Sequence, residues 1–294
     1  MALTMLVSGC MFTGIENTGR IKLSKEDLEA ERKVSDEDRL MQPLSPLPLP
    51  EWIKGRSFLG ASDRVGLIFQ AVPYNPYGKT LYYDSYRNAV TPLGKNAVEI
   101  LFRDSVGREY VYQRENKTEG EITSADIPML IDLSMVAKAD SLLRGKTVWP
   151  RVRQWDNPED YDSPVAGSQL LPVTVLSVIP NTADFPLRVV FQDRGGKRGS
   201  LVFNPDNKSS RSFSSQFFLH DPRNDYKNIT DERWLEICNG RLAVGMTKQE
   251  ARLAYGSPDN IESGHDYSKV IELWSYSNGI FLRFEDGLLV SFRK

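Results

Sequence analysis

Residues 98–104 read VEILFRD, and residues 187–193, about 90 positions further on, read LRVVFQD. Nearly the same spacing separates residues 52–58 (WIKGRSF) from residues 142–148 (LLRGKTV). In the first pair an aspartate and a glycine turn lead into a second apolar run, which is the pattern of a β-hairpin. Similarity at a fixed spacing indicates an internal repeat, so we expect two copies of one small β unit in the middle of the chain.

Each copy contains short runs rich in β-branched and aromatic residues, separated by glycine, asparagine and proline. This pattern predicts a small β-barrel in each copy, SH3-like by preference, while a five-stranded OB-type barrel fits the same pattern. We expect the first barrel at residues 51–123 and the second at residues 144–220. Residues 124–143, between them, carry an apolar stripe at helical spacing and predict a connecting helix.

The C-terminal region, residues 221–294, has the most specific local signals. Thr247 followed by Glu250 forms a capping box at the start of one helix, which Gly256 and Pro258 end. An earlier run, in which Trp234, Ile237 and Cys238 share one helical face, predicts a second helix. Two turns of the Asn-Gly or Asp-Gly type then separate three apolar runs, as expected for an antiparallel sheet. The region is therefore predicted to contain two helices followed by three strands.

Several residues of this region resemble those of the SmpA/OmlA (BamE-like) lipoprotein domain. The residues that carry the resemblance are Gly245, Met246, Thr247, Gly256, Pro258, Trp274, Tyr276, Phe284 and Gly287. The resemblance implies a two-helix, three-strand fold, in a family whose founding members are non-enzymatic lipoproteins of the outer-membrane assembly machinery. It also implies structural roles for these residues, as caps, turns and core positions. The expected fold class is thus α+β and mainly β, with two SH3-like barrels followed by a BamE-like module of the kind found in Bacteroidetes-type envelope lipoproteins.

The first residues of the chain resemble a bacterial lipobox, with an apolar stretch that leads through Ser8 and Gly9 to Cys10. The resemblance implies that Cys10 is diacylated and becomes the mature N-terminus, so that acyl chains anchor the protein in a membrane. Residues 11–50 are charged and end with four prolines, which is typical of a linker. We expect a truncated signal at residues 1–10, a tether at residues 11–50, and a periplasm-facing position at the outer membrane.

The composition excludes several classes of function. The 37 Lys and Arg residues against 39 Asp and Glu residues leave a charge of −2, so the basic surface that nucleic acids require is missing. Two histidines and two cysteines in the whole chain leave few parts for metal sites or nucleophilic catalysis. Cys238 falls on the apolar face of a predicted helix, where a thiol is an inert core residue. We expect no cofactor, no metal and no enzymatic activity.

A cluster of tyrosines in the first repeat is the candidate recognition surface. Its members are Tyr74, Tyr77, Tyr82, Tyr83 and Tyr86. Flat rings give a large contact area at low entropic cost, so an aromatic loop can bind an envelope protein or a cell-wall polymer. The alternative is that two or three of these rings complete the core of the barrel.

These observations predict a non-catalytic, membrane-anchored envelope lipoprotein that binds or scaffolds a partner, with outer-membrane assembly or maintenance as one setting. Two alternatives remain open. The first is a hydrolase of envelope glycans or peptides with catalytic carboxylates in the loop that contains Asp156, Glu159, Asp160 and Asp162. The second is an inhibitor of an envelope hydrolase, which depends on fold analogy alone.

Overall fold

Three antiparallel β-sheets and five α-helices form the part of the chain that the structure describes. The structure is a computed structural model, and it describes residues 35–70, 73–161, 163–206, 208–266 and 268–293. The predicted signal and its lipidation site Cys10 lie outside these residues. Asp36–Lys294 form one compact unit, in which each sheet has its own apolar core.

The first sheet is open and has five strands. Its strands are β1 (Ser57–Gly60), β2 (Thr80–Val90), β3 (Asn96–Arg103), β4 (Glu109–Glu115) and β5 (Leu130–Asp132), in the order β4-β3-β2-β1-β5. Residues alternate between buried and accessible along β3, because successive side chains of a strand point to opposite faces. The buried face forms the first core, which contains the fully buried Phe58, Leu81, Phe102 and Tyr110.

The second sheet has seven strands in the order β12-β6-β9-β10-β11-β7-β8. The strands are β6 (Thr147–Pro150), β7 (Gln154–Asp156), β8 (Pro164–Ala166), β9 (Val173–Pro180), β10 (Leu187–Asp193), β11 (Arg198–Phe203) and β12 (Phe217–Phe218). Five successive residues of β10 are buried, because side chains cover both faces of this central strand. The second core contains Trp155, Phe191, Phe203, Phe213 and Phe217.

The third sheet has four strands that follow one another in chain order. They are β13 (Asn260–Asp266), β14 (Lys269–Ser275), β15 (Phe281–Glu285) and β16 (Leu288–Arg293). The third core combines residues of this sheet, such as Trp274 and Phe284, with residues of two helices, α4 (Asp231–Cys238) and α5 (Lys248–Tyr255). Gln169, from the loop between β8 and β9, donates from Nε2 to the carbonyl of Ile237, 3.0 Å away, and thereby satisfies a carbonyl near the end of α4.

Residues 36–52 form what we call the N-terminal clasp, because they pack on two cores in succession. The clasp contains α1 (Asp36–Met41) and two 3-10 helices, Gln42–Leu44 and Leu49–Glu51. Met41 and Leu44 are buried in the second core, whereas Leu49 and Trp52 are buried in the first. The predicted tether at 11–50 therefore does not extend through its proline-rich end, since residues from Asp36 onward belong to the folded unit.

The connecting helix predicted at residues 124–143 is shorter than expected. Residues Ser124–Asp126 form a 3-10 turn, β5 follows, and only Leu133–Leu143 form a helix, α2. Met129 has a left-handed backbone with φ of 62°, which interrupts any helix through Pro128 and Met129. Asp132 then begins α2, since its side chain accepts a hydrogen bond from the backbone N–H of Ser134.

The predicted fold class is wrong. Within the described residues neither of the first two sheets closes into a barrel, because their edge strands do not pair with each other. The second sheet is also extended by β7 and β8, which form from a segment whose charges and prolines read as a loop. Four strands nevertheless pair in the same order in both sheets: β1, β2, β3 and β4 of the first correspond to β6, β9, β10 and β11 of the second.

The C-terminal part of the prediction is wrong as well, because the described residues contain no two-helix, three-strand BamE-like module. The sheet has a fourth strand, β13, which pairs over its whole length with β14, from Asn260 opposite Ser275 to Asp266 opposite Lys269. The polar sequence of β13 reads as a loop. Backbone hydrogen bonds hold this edge strand, and its accessible positions need no apolar residues.

The short helix α3 (Phe213–Gln216) precedes β12 and places Phe213 in the second core. Ser212 caps it by accepting a hydrogen bond from the N–H of Ser215. The clasp packs beside this region, where the buried Glu37 accepts a hydrogen bond from the N–H of Leu219 at 3.0 Å. The clasp is thus fixed by a polar contact as well as by its apolar side chains.

Candidate functional site

A groove of about 1110 Å³ lies between segments of the first and second sheets. The clasp forms one wall, and residues 61–64, directly after β1, form another. Residues 124–132, which lead into α2, run along it. The second sheet contributes the turn between β9 and β10 and the loop at residues 204–206. Ligand sites are common at such junctions, because two substructures can form a concavity that neither forms alone.

The inner lining of the groove is apolar. It includes Met41, Leu44, Ile127, Leu130 and Ile131, all of them buried, together with Ala61, Met129 and Met135. Four prolines also line it, at positions 46, 128, 186 and 205. Methionine side chains adapt to different partner shapes, and prolines keep the surrounding backbone rigid. The inner surface thus suits an apolar ligand group.

The outer lining is acidic. Asp63, Asp184 and Asp206 are exposed at the groove, Asp38 also lines it, and Arg64 is the one exposed cation among the described lining residues. The fifth lining aspartate, Asp132, pairs internally and is described below. An excess of carboxylates in a concave site concentrates a negative potential there. This concentration of charge contrasts with the whole chain, whose net charge is only −2.

Hydrogen bonds hold the two acidic loops of the second sheet in place. The side chain of Asn204 donates from Nδ2 to the carbonyl oxygen of Asp184 at 2.9 Å, which ties one loop to the other. Asp206 accepts a hydrogen bond from the N–H of Lys208 at 2.9 Å. At the base of the β9–β10 turn, the buried Arg188 donates to Asn181 at 2.9 Å. The acidic wall is therefore preorganised.

A smaller cavity of about 220 Å³, the side chamber, adjoins the groove and shares part of its wall. Its charged lining residues are Arg56, Asp132 and Lys138. Arg56 donates from Nε to Oδ2 of Asp132 at 3.1 Å, and its Nη2 contacts the same oxygen. The other carboxylate oxygen accepts the N–H and the hydroxyl of Ser134, at 3.0 and 2.6 Å. Asp132 is 3% exposed, so its charge is compensated inside the protein.

The five predicted tyrosines divide into two groups. Tyr83 is buried against Trp52, with the ring centroids 5.3 Å apart, and Tyr86 packs on the same core. Tyr74, Tyr77 and Tyr82 are exposed. A β-bulge between Tyr83 and Ser85 explains the division, because the extra residue places Tyr83 and Tyr86 on the same face although three positions separate them.

The exposed tyrosines do not form one ring cluster, since the structure gives no ring contact among them within the described residues. Tyr74 contacts the guanidinium of Arg108, 3.9 Å from its ring centroid. Tyr77 lies closer to the groove, because its backbone pairs with Gly60, the neighbour of the groove residue Ala61. Recognition by these tyrosines stays a prediction.

The C-terminal motif residues have structural positions away from the groove. Thr247 caps α5, as predicted: its hydroxyl accepts the N–H of Glu250, and the Glu250 carboxylate accepts the N–H of Thr247. Gly256 ends the helix at a φ of 96°. Pro258 follows, and the hydroxyl of Tyr276 donates to the carbonyl of Gly256 at 3.0 Å. Gly245 and Gly287 have positive φ, while Met246, Trp274 and Phe284 are buried. No residue of this set lines the groove.

The carboxylates of the alternative hydrolase each have a partner of their own in the described residues. Asp156 pairs with Arg188 at 2.9 Å, and Glu159 pairs with Arg198 at 3.2 Å. Asp160 accepts a hydrogen bond from the hydroxyl of Ser163. Asp162 lies outside the described residues. The three described carboxylates thus have separate partners, and none lines the groove. The alternative hydrolase stays a prediction.

No cysteine or histidine is among the described residues that line the groove. Cys238 is fully buried, and burial raises the pKa of its thiol to about 12. His220 pairs with Asp225 at 2.9 Å on the surface, and His265 lies exposed in β13. In the part of the chain that the structure describes, no group of three or more His, Cys, Asp or Glu residues has metal-binding geometry.

Sequence reasoning missed every charged residue of the groove and the side chamber. Arg56, Asp63, Lys138, Asp184 and Asp206 come from separate segments, and each is an ordinary surface charge in its own segment. The one local signal is the composition of residues 181–186, which predicts the turn that presents Asp184. The grouping of these charges is a property of the tertiary structure.

The candidate site thus consists of an acidic groove and an adjoining chamber. The chain matches no protein-family model, and no curated protein matches it. The resemblance to the SmpA/OmlA family therefore stays a prediction from the motif residues. Among the described residues, no helix has the length and apolar character that crossing a membrane requires.

Proposed function

We propose that the protein is a non-catalytic binding protein whose groove holds an extended, basic segment of a partner protein. The observation that carries this proposal is the combination of an apolar inner lining with an acidic outer lining in one groove of about 1110 Å³. The partner segment would place apolar side chains inside and Lys or Arg side chains along the edge.

The size of the groove favours a polypeptide segment. Sites for small molecules enclose about 300–1000 Å³, so this groove is at the upper end of that range or beyond it. Its walls are parts of several loops and turns, as expected of a surface that follows an extended chain. The buried apolar area would supply most of the affinity, because the transfer of apolar surface from water is favourable.

The charge of the groove determines which segments are preferred. Lys and Arg side chains would face Asp63, Asp184 and Asp206, whereas acidic segments would be repelled. Each exposed charge pair contributes about 0.2–1 kcal/mol. Several pairs together would select basic segments from a mixture, and the preference would weaken as salt screens the charges.

We propose an envelope setting for this binding protein, on the basis of the lipobox-like residues that end at Cys10. Diacylation there would hold the folded unit close to the outer membrane and to partner proteins of the envelope. Mass spectrometry of the mature protein tests this part. A diacylated Cys10 at the N-terminus would support it, and an unmodified Cys10 would contradict it.

Affinity selection from a random pool of octapeptides tests the groove. We expect enrichment of peptides that combine Lys or Arg with apolar residues, and we expect the double variant Asp184→Asn, Asp206→Asn to bind them roughly two- to tenfold more weakly. Glu232→Gln is the matched control, because Glu232 is an exposed carboxylate on α4 outside the groove. Failure to enrich any peptide, or enrichment of acidic ones, would contradict the proposal.

A further inference from the structure

We infer that the side chamber binds the C-terminal carboxylate of the partner segment. This inference rests on the proposed function, because the chamber adjoins the groove that would hold the rest of the segment. The partner would then be recognised by its C-terminal tail, with basic side chains upstream along the acidic wall and the terminal carboxylate in the chamber.

The position of the chamber supports a continuous ligand. Groove and chamber lie side by side, because they share the lining residues Leu44, Ser45, Pro46, Ser124, Asp132 and Met135. The chamber has a volume of about 220 Å³, which is room for one terminal residue and is much smaller than the volume of the groove. A chain that enters it is therefore expected to end there.

The charge of the chamber is opposite to that of the groove. Its two cations are Arg56 and Lys138, and its single anion is Asp132. Both oxygens of Asp132 are already occupied by Arg56 and Ser134. Lys138 is exposed at the chamber, and its side chain has no hydrogen bond or ion pair among the described residues. The chamber thus retains one uncompensated positive charge, which an anionic ligand group would match.

The neighbours of Lys138 keep this charge at the chamber. Lys138 lies one turn after Ser134 on α2, and Asp132 caps the same helix, so the helix itself fixes the spacing between the ion pair and the free ammonium group. Arg56 is held in turn by Asp132 and by the ring of Trp52, 5.3 Å from its guanidinium. Arg56 is 12% exposed and can direct its remaining donors toward the chamber without leaving Asp132.

A C-terminus fits the two cavities better than an acidic side chain does. An acidic residue within the segment would have to leave the negative groove wall and enter the chamber while the chain continued past it. A terminal carboxylate is the last group of the chain, so it can enter the smaller chamber and needs no space beyond it. Capture of a terminal carboxylate by backbone N–H groups is a known mode of peptide recognition, and here Arg56 and Lys138 would supply charged donors instead.

The same octapeptide pool tests this inference when it is synthesised in two forms, one with free C-terminal carboxylates and one with C-terminal amides, distinguished by an isotope label. We expect the recovered peptides to favour the free carboxylate by about tenfold or more, as charge-assisted hydrogen bonds in a recess would give. The variant Lys138→Gln should reduce this preference roughly three- to tenfold. It should leave the preference for Lys and Arg unchanged, because that preference belongs to the groove.

Lys146→Gln is the matched control, since Lys146 is an exposed lysine shortly after α2 that lines neither cavity. Equal recovery of the free and amidated forms would overturn the inference while the proposed function stands. A full preference for the free carboxylate in Lys138→Gln would overturn it too, because the carboxylate would then bind elsewhere. No recovery of either form would instead contradict the proposed function. Lys138 is exposed, so its substitution does not endanger folding.

Discussion

Asp132 joins three local structures through one buried carboxylate. It ends β5, caps α2 and pairs with Arg56 of the segment before β1. Because the carboxylate is 3% exposed, it depends on these partners for the interactions that water would otherwise provide. Asp132, which lines both the groove and the side chamber, is therefore held in place by one ion pair and by the cap of α2.

Removal of Arg56 is expected to destabilise the protein strongly. Arg56→Met would leave the Asp132 carboxylate buried without its cation, at a cost of about 3–5 kcal/mol in the free energy of unfolding. Urea unfolding measures this change. Arg87→Met is the control, because the Arg87 side chain is 77% exposed and its ion pair with Glu99 should contribute at most about 1 kcal/mol. Equal losses in the two variants would contradict the assigned role of Asp132.

Cys238 is expected to be unreactive in the folded protein. It is fully buried, and because its pKa is raised to about 12 the thiol stays protonated at pH 8, whereas reagents attack the thiolate. A Cys10→Ser variant leaves Cys238 as the only cysteine of the chain, so a thiol reagent reports on it alone. We expect no reaction at pH 8 until urea unfolds the protein. Rapid reaction of the native protein would contradict this placement in the third core.

At the scale of elements, the second sheet depends on close contact between its backbone and Trp155. A Cβ atom on Gly199 of β11 would lie 2.6 Å from the Trp155 ring, and one on Gly167 would lie 2.1 Å from it. Trp155 is 1% exposed and its ring meets that of Phe191 edge to face, with centroids 5.0 Å apart. Glycine is needed at these two positions because the ring lies against the backbone itself.

Gly199→Ala is therefore expected to lower the free energy of unfolding by about 1–3 kcal/mol, the usual cost of overpacking a core. Gly264→Ala is the matched control, because Gly264 also lies in a strand, β13, and a Cβ there would meet nothing within 4 Å. That variant should be neutral or slightly more stable. Thermal or urea unfolding of the pair checks the prediction, and equal stability of the two variants would contradict the contact with Trp155.

The sequence could predict the features of the fold that lie within a single helix. The capping box of Thr247, the end of the helix at Gly256 and the burial of Trp234, Ile237 and Cys238 on one face of α4 are confirmed. These features depend on residues three or four positions apart, so neighbouring side chains determine them. Strand β13 was missed, because an exposed edge strand keeps its pairing through the backbone and carries polar residues.

At the scale of the whole molecule, the features that the sequence could not predict depend on packing between distant segments. The prolines of the clasp are typical of a spacer, yet Leu44 and Leu49 beside them are buried in two different cores. The groove could not be predicted either, because its charges are spread from Asp38 to Asp206 and converge only after the sheets have formed. Tyr86 packs against the core beside the buried Tyr83 because of one bulge, which no local composition indicates.

The separation of charge between the two cavities is the feature of the whole molecule on which the proposed function depends. Aspartates collect at the groove, whereas Lys138 and Arg56 collect at the chamber, although the chain as a whole is close to neutral. Such a pattern gives a bound segment a direction, because its basic side chains and its terminal carboxylate are attracted to different places.

Hydrogen–deuterium exchange with the most strongly enriched octapeptide tests the central claim most directly, because it locates the bound segment on the protein. The account predicts slower exchange on peptide binding in residues 61–64 and 124–132 and in the turn between β9 and β10, which together line the groove. Exchange in the third sheet should be unchanged. Protection confined to the third sheet, or to the surface around Tyr82, would contradict the claim that the groove is the binding site.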